Sequence, residues 1–309
     1  MIAAPQKRPF IHRVTVGKVA AWVALGFAVL ITLFPFWWMV RTALTSPADL
    51  YGPLFNFHWS SLLPSQTTFV NFKRVFGAAS AKDLADLPSN LSRAPFHYWD
   101  YLKSSLIVAT VVTIGQVFFS AMAAYAFARL RFRGRDTLFV VFLSALLVPA
   151  IFTLIPNFIL IKQLGWINTY QGIVAPTFLM TPFAVFFLRQ FFLGINRSIE
   201  EAAIIDGARY YQIFFRLILP IARAPIVTLM ILTFIGTWND YLWPLVVAQD
   251  QKHEVLTVAL STFRQSQPNG AIDWTALMAG NLAAILPIVV LFMFASRRII
   301  DSIQFTGVR

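Results

Sequence analysis

The sequence contains no cysteine, which excludes disulfides, thiol nucleophiles and cysteine-ligated metal sites. Charge is scarce as well. Only 12% of residues are charged, against roughly a quarter in soluble domains. With 58% hydrophobic residues and a mean hydropathy of +0.68, that deficit indicates a membrane protein. The four histidines, His12, His58, His97 and His253, lie far apart, and none has a neighbour at metal-ligand spacing. They read as loop or interfacial residues, so no metal site and no catalytic residue is assigned. A G-x-x-x-x-G-K-[ST] phosphate loop is also absent.

What the chain does have is apolar runs. Six stretches, near 19–40, 104–128, 137–161, 170–188, 224–248 and 275–296, are long enough to cross about 30 Å of hydrocarbon as helices. The expected fold is therefore an all-α membrane protein with six transmembrane helices. Asp240 is the one charge well inside these runs. A net charge of +12 would suggest nucleic acid in a soluble chain. Here the basic residues mark topology instead, and no nucleic acid partner is expected. With the N-terminus inside, 16 of the 25 Lys and Arg face the cytoplasm, led by the cluster RLRFRGR at 129–135. Both termini are then cytoplasmic. The first apolar run is too long for the core of a secretory signal, and FPFWWMVR follows it in place of a cleavage site. It reads as an uncleaved span with Trp37 and Trp38 as interfacial anchors. This divides the chain into a cytoplasmic segment 1–18, a six-helix membrane domain 19–296 and a cytoplasmic tail 297–309. The domain carries an outer loop 42–103, an inner loop 189–223 and a second outer loop 249–274.

Prolines recur within the spans, at Pro149, Pro156, Pro176, Pro182, Pro244 and Pro287. Each removes a backbone hydrogen bond. Such residues suit either tight packing between helices or a bundle that rocks around a cavity.

The inner loop holds a short, charged, capped helix. Ser198 and Glu201 have the spacing of a capping box, and Asp206-Gly207 ends the helix after about two turns. Ala202 and Ala203 keep one face small. Arg209, Gln212, Arg216 and Arg223 then form a polar stripe on a second helical piece suited to the membrane surface. Singly, these features fit an ordinary loop; together they fit a rigid docking knob.

The pattern Glu201-Ala202-Ala203-x-x-Asp206-Gly207-Ala208, with Phe215 and Ile218-Leu219-Pro220 after it, resembles the EAA loop of membrane subunits of binding-protein-dependent ABC importers. TWNDYLWPLVV at 237–247 and the ending FTGVR are similar to the carbohydrate-uptake group that includes the maltose permease, although QFTGVR is shorter than that group's usual glycine-rich end. The resemblance implies that Glu201, Ala202, Ala203, Asp206 and Gly207 form a coupling helix seated in a groove of a separate ATPase subunit. ATP and Mg would be bound there, with no cofactor on this chain. It further implies a second homologous permease, two ATPase subunits, an extracytoplasmic substrate-binding protein and a place in the bacterial inner membrane.

Around Asp240 lie Trp238, Asn239, Tyr241 and Trp243. Acceptors beside aromatic faces suit a carbohydrate, which offers hydroxyls on its rim and C–H patches on its faces. The same residues also suit an interfacial aromatic belt. In the last outer loop, Gln267, Pro268, Asn269 and Gly270 would make a firm turn, which the resemblance casts as a contact for the binding protein. The expected function is transport of a carbohydrate by alternating access. The rival reading is an ion-coupled secondary transporter, which needs ionisable residues at mid-membrane; only Asp240 comes near.

Overall fold

The computed structural model describes residues 16–51, 67–265 and 272–304. Gln267, Pro268, Asn269, Gly270 and the FTGVR ending lie outside them. Three helices are each long and apolar enough to cross a membrane: α1 (Val16–Leu44), α5 (Tyr98–Arg129) and α16 (Trp274–Gln304). Between α1 and α5 come the short helices α2 (Pro47–Tyr51), α3 (Val70–Val75) and α4 (Ala81–Ala85). No strand occurs among the described residues.

The other three expected spans are broken, two of them at prolines that the sequence places inside the runs. The third becomes α6 (Arg135–Ser144) and α7 (Ala150–Gln163), bent by 98°. A proline forces the residue before it out of the helical region. Val148, ahead of Pro149, accordingly has ψ 113°. The fourth becomes α8 (Tyr170–Phe178) and α9 (Pro182–Leu193), bent by 44°, with Thr181 extended ahead of Pro182. The inner loop folds as α10 (Arg197–Ile205), then α11 (Tyr210–Ile213), a π-helical turn over Phe214–Ile218, and α12 (Leu219–Ile221). The fifth span is α13 (Arg223–Trp238), which meets the α11–α12 piece at 79° and stops short of its expected end. A separate helix, α14 (Leu242–Val247), completes it, and α15 (Leu256–Gln265) leads toward α16.

No proline sits at the α13–α14 break, but Pro244 lies four residues after Asp240. It has no N–H to give the Asp240 carbonyl. The Thr257 hydroxyl supplies that bond instead, at 2.8 Å.

α5 is the axis of the bundle. Its outer end, at Tyr98, Tyr101 and Ala109, joins a core with α15 and α16. Its middle, at Val108 and Val112, packs with α8 and α14. Its inner half, from Val117 to Ala128, packs with α9, the π turn and α13. Gly115 lets the α8–α9 break press onto it: a Cβ there would lie 2.3 Å from the Phe178 ring and 2.7 Å from its carbonyl. α1 lies outside this core against α16, and none of its apolar window is buried.

The outer loop is clamped rather than loose. Asn71, fully buried, donates to the carbonyls of Ala43 and Thr45 at the end of α1. Arg74 pairs with Asp273 at 2.6 Å, both side chains buried. Asp273 also caps α16 by accepting from the Ala276 N–H and the Thr275 hydroxyl.

Candidate functional site: a cavity in the bundle and the α10 helix

The inner-loop helix starts earlier than expected. Asn196, not Ser198, is the N-cap, its side chain accepting from the Ser198 N–H at 3.1 Å. Asparagine caps as well as serine does, and Ser198 falls inside the first turn. The expected capping box with Glu201 is therefore not formed. Glu200 is buried and Glu201 is exposed.

Glu200 meets Arg129, the last residue of α5, at 2.9 Å. The contact is an ion pair rather than a well-directed hydrogen bond, since neither atom meets hydrogen-bond geometry. Burial pushes the Glu200 carboxyl up, while Arg129 and Arg197 hold it down. Arg129 also donates to the carbonyls of Phe192 and Ile195, where α9 ends. One guanidinium thus joins α5, the end of α9 and α10.

The far end of α10 closes in a Schellman arrangement: Ala208 N–H to Ala203 C=O at 2.9 Å and Gly207 N–H to Ile204 C=O at 3.0 Å. Gly207 takes φ +82°, the left-handed conformation that glycine enters without strain, and space beside it is open. The result is a helix held from above, with Glu201, Ala202, Asp206 and Gly207 exposed and Ala203 half-buried. Ile199, Ile204 and Ile205 are also exposed, Ile205 by 85%. The sequence reading missed both this apolar set and Arg129. The isoleucines were visible as apolar residues on a helix otherwise expected to face water. Nothing in the sequence linked Arg129 to Glu200. The polar stripe on the next piece is reduced: Arg209 precedes α11, its N–H bound by Gln212 at 2.8 Å, while Ile213, Phe214 and Ile218 are buried.

A cavity of about 380 Å³ lies between α5, α8, α13 and α14. Val108, Ile173, Phe183 and Leu232 give it apolar walls; Gln116, Thr177, Thr233, Thr237 and Asp240 give it polar ones. Of the five residues expected along a substrate pathway, Asp240 alone lines this cavity. Its carboxylate also lies beside the N–H groups of Tyr241, Leu242 and Trp243 at the start of α14, whose N-cap is Tyr241. Trp238 is buried and stacks on Phe234 at 5.7 Å. Trp243 donates its indole N–H to the Ile173 carbonyl at 3.0 Å, and Tyr241 packs in the same region. Asn239 turns back to the Ile235 carbonyl at 2.8 Å. The aromatic residues therefore build the walls around the cavity. Gln116, whose amide reaches the Thr181 hydroxyl at 3.1 Å, went unnoticed as a polar residue in an otherwise apolar run.

A carboxylate, an amide and three hydroxyls facing one apolar pocket can exchange hydrogen bonds with a hydroxylated solute. They can do so with little net cost as water leaves.

Residues 116–304 match the family model described as binding-protein-dependent transport system inner membrane component. The chain is 34% identical over 212 residues to the arabinooligosaccharides transport system permease protein AraQ of Halalkalibacterium halodurans, covering 69% of this chain and 75% of that protein. It is 28% identical to the trehalose/maltose transport system permease protein MalG of Thermococcus litoralis, covering 89% and 90%. In fold it is similar to a chain from a bacterial ABC transporter involved in import of the acidic polysaccharide alginate, with a TM-score of 0.74 at 22% identity over 94% of this chain and 99% of that one. With more than half its length matched, the chain belongs to the binding-protein-dependent transport system inner membrane components and is a permease subunit of an ABC importer.

Proposed function

We propose that this chain carries a carbohydrate across the membrane through the α5–α8–α13–α14 cavity, driven by ATP hydrolysis on separate subunits that grip α10. One observation carries the reading: α5 reaches both sites. Gln116 lines the cavity and Arg129 holds α10. The helix between them is a rod of about 20 Å. A push on α10 is thus delivered to the cavity wall through a continuous helix.

Glu201, Ala202, Ala203, Asp206 and Gly207 form the face offered to the ATPase, with Ile204 and Ile205 adding apolar area that a protein groove would bury. ATP and Mg belong to that partner. A second permease completes the pathway, and a substrate-binding protein docks outside, with Gln267, Pro268, Asn269 and Gly270 at the contact. Both termini face the cytoplasm. The relatives' printed substrates, arabino-oligosaccharides and trehalose or maltose, support a sugar as the class.

The test is uptake into vesicles holding the reconstituted importer, offering labelled arabinotriose and maltotriose with the binding protein outside and ATP inside. Accumulation that stops when ATP is omitted is expected. Accumulation driven by an ion gradient without the ATPase overturns the reading.

A further inference from the structure

We propose that the loop between α5 and α6, together with the first residue of α10, binds the phosphate headgroup of an anionic membrane lipid. A cavity of about 730 Å³ opens here and is not the solute cavity. Arg131, Arg133, Arg135 and Arg197 line it, against Asp136 as the one acid.

That acid is already committed. Arg135 pairs with Asp136 at 3.0 Å, and Arg189 approaches it at 4.0 Å, which together hold its carboxyl below the usual range. Arg131 and Arg133 have no acidic partner among the described residues. Arg197 feels only the field of Glu200, which Arg129 already pairs. Three guanidiniums therefore converge on one open space without an anion. Such a cluster selects a phosphate, since the guanidinium fork matches its oxygens.

The source of the phosphate follows from what flanks the arginines. Just beyond the loop, α6 exposes Leu138, Val140 and Val141, each more than half accessible, and Phe132 is exposed in the loop itself. Apolar side chains in the open beside a basic cluster mark the boundary between acyl chains and headgroups. A soluble phosphate has no use for that apolar flank, whereas a lipid covers both parts at once. Because Arg197 begins α10, a lipid held here bridges the α5–α6 corner to the coupling helix. This last consequence rests on the function proposed above.

The test uses the complete purified complex and reads bound lipid by native mass spectrometry, offering phosphatidylglycerol and phosphatidylcholine in equal amounts. Retention of phosphatidylglycerol is expected in preference to phosphatidylcholine. Arg131→Gln with Arg133→Gln should cut that preference roughly thirtyfold, each lipid-facing arginine being worth about a factor of five. Equal retention by wild type and variant overturns the proposal. Displacement of the lipid by millimolar inorganic phosphate overturns the lipid as ligand. Loss of the ATPase subunits from the variant assigns the arginines to a protein contact and overturns it too. The readout needs neither ATP nor solute, so its failure is separate from failure of the transport reading.

Discussion

Arg129 and Glu200 pair at 2.9 Å with side chains only 3% and 11% exposed, and this contact is where the bundle holds α10. Removing one partner of a buried pair leaves a charge without compensation and costs about 3–5 kcal/mol. Arg129→Ala also strands the Phe192 and Ile195 carbonyls. The expected outcome is rapid hydrogen exchange over α10 and ATP hydrolysis uncoupled from uptake, with α5 and α13 still protected. Unchanged exchange in α10 rejects the anchor.

Gly207 should tolerate substitution by conformation rather than by size. Space beside it is open, but φ +82° costs a branched residue about 1–2 kcal/mol. Gly207→Val should lower uptake and weaken retention of the ATPase. Gly207→Asn, which enters the left-handed region more readily, should keep most of both. The comparison is made by co-purification and vesicle uptake; equal behaviour of the two variants removes the backbone argument.

Asp240 has two duties, one toward the cavity and one toward α14. Asp240→Asn keeps an acceptor for the α14 N–H groups, so the complex should assemble at normal yield. Loss of a charge-assisted hydrogen bond costs about 1.5–3 kcal/mol, and uptake should fall about tenfold or more. Asp240→Ala should reduce both uptake and yield. Full uptake in Asp240→Asn removes the carboxylate from the pathway.

Glu254, in the second outer loop, is pushed up to about 7 by burial and then by Asp250. Asp250 itself faces His253, whose ring nitrogen lies 2.9 Å from it. A carboxyl raised above its value in the unfolded chain binds more protons when folded. Its contribution is therefore complete below about pH 4 and is lost as pH rises through about 7. Once the intrinsic base-catalysed rate is divided out, hydrogen-exchange protection across residues 249–255 should fall between about pH 6 and pH 8 in the wild type and stay level in Glu254→Gln. A slope that survives in the variant assigns the effect elsewhere.

Orientation can be read with single cysteines, since the chain has none of its own. Lys82→Cys should react with an impermeant thiol reagent from outside and Arg133→Cys only after lysis; the reverse pattern inverts the topology.

The membrane class, the positions of six apolar runs and the inner-loop helix were all legible in the sequence. They depend on local composition and spacing, which a sequence states directly. The breaks were half legible: Pro149 and Pro182 announced two bends, while Pro244 hinted at the third without fixing the stop at Asn239. It is completed by a hydroxyl from Thr257 in another element. The same limit applies to the site. Asp240 stood out as a lone charge, whereas the roles of Trp238 and Trp243 as wall rather than lining depend on Phe234 and Ile173 packed against them. Asn196 was overlooked because a serine two residues later offered an equally good cap.

The bond between the Asp240 carbonyl and the Thr257 hydroxyl has a mechanical meaning. Asp240 faces the cavity through its carboxylate and α15 through its carbonyl. A hydrogen bond stretches by only a few tenths of an ångström before it weakens. Any larger displacement of α15 from the outer side must either drag Asp240 with it or let go. The residue acts as a latch whose two ends report on different sides of the wall: what pulls the outer loop is felt where the solute would lie.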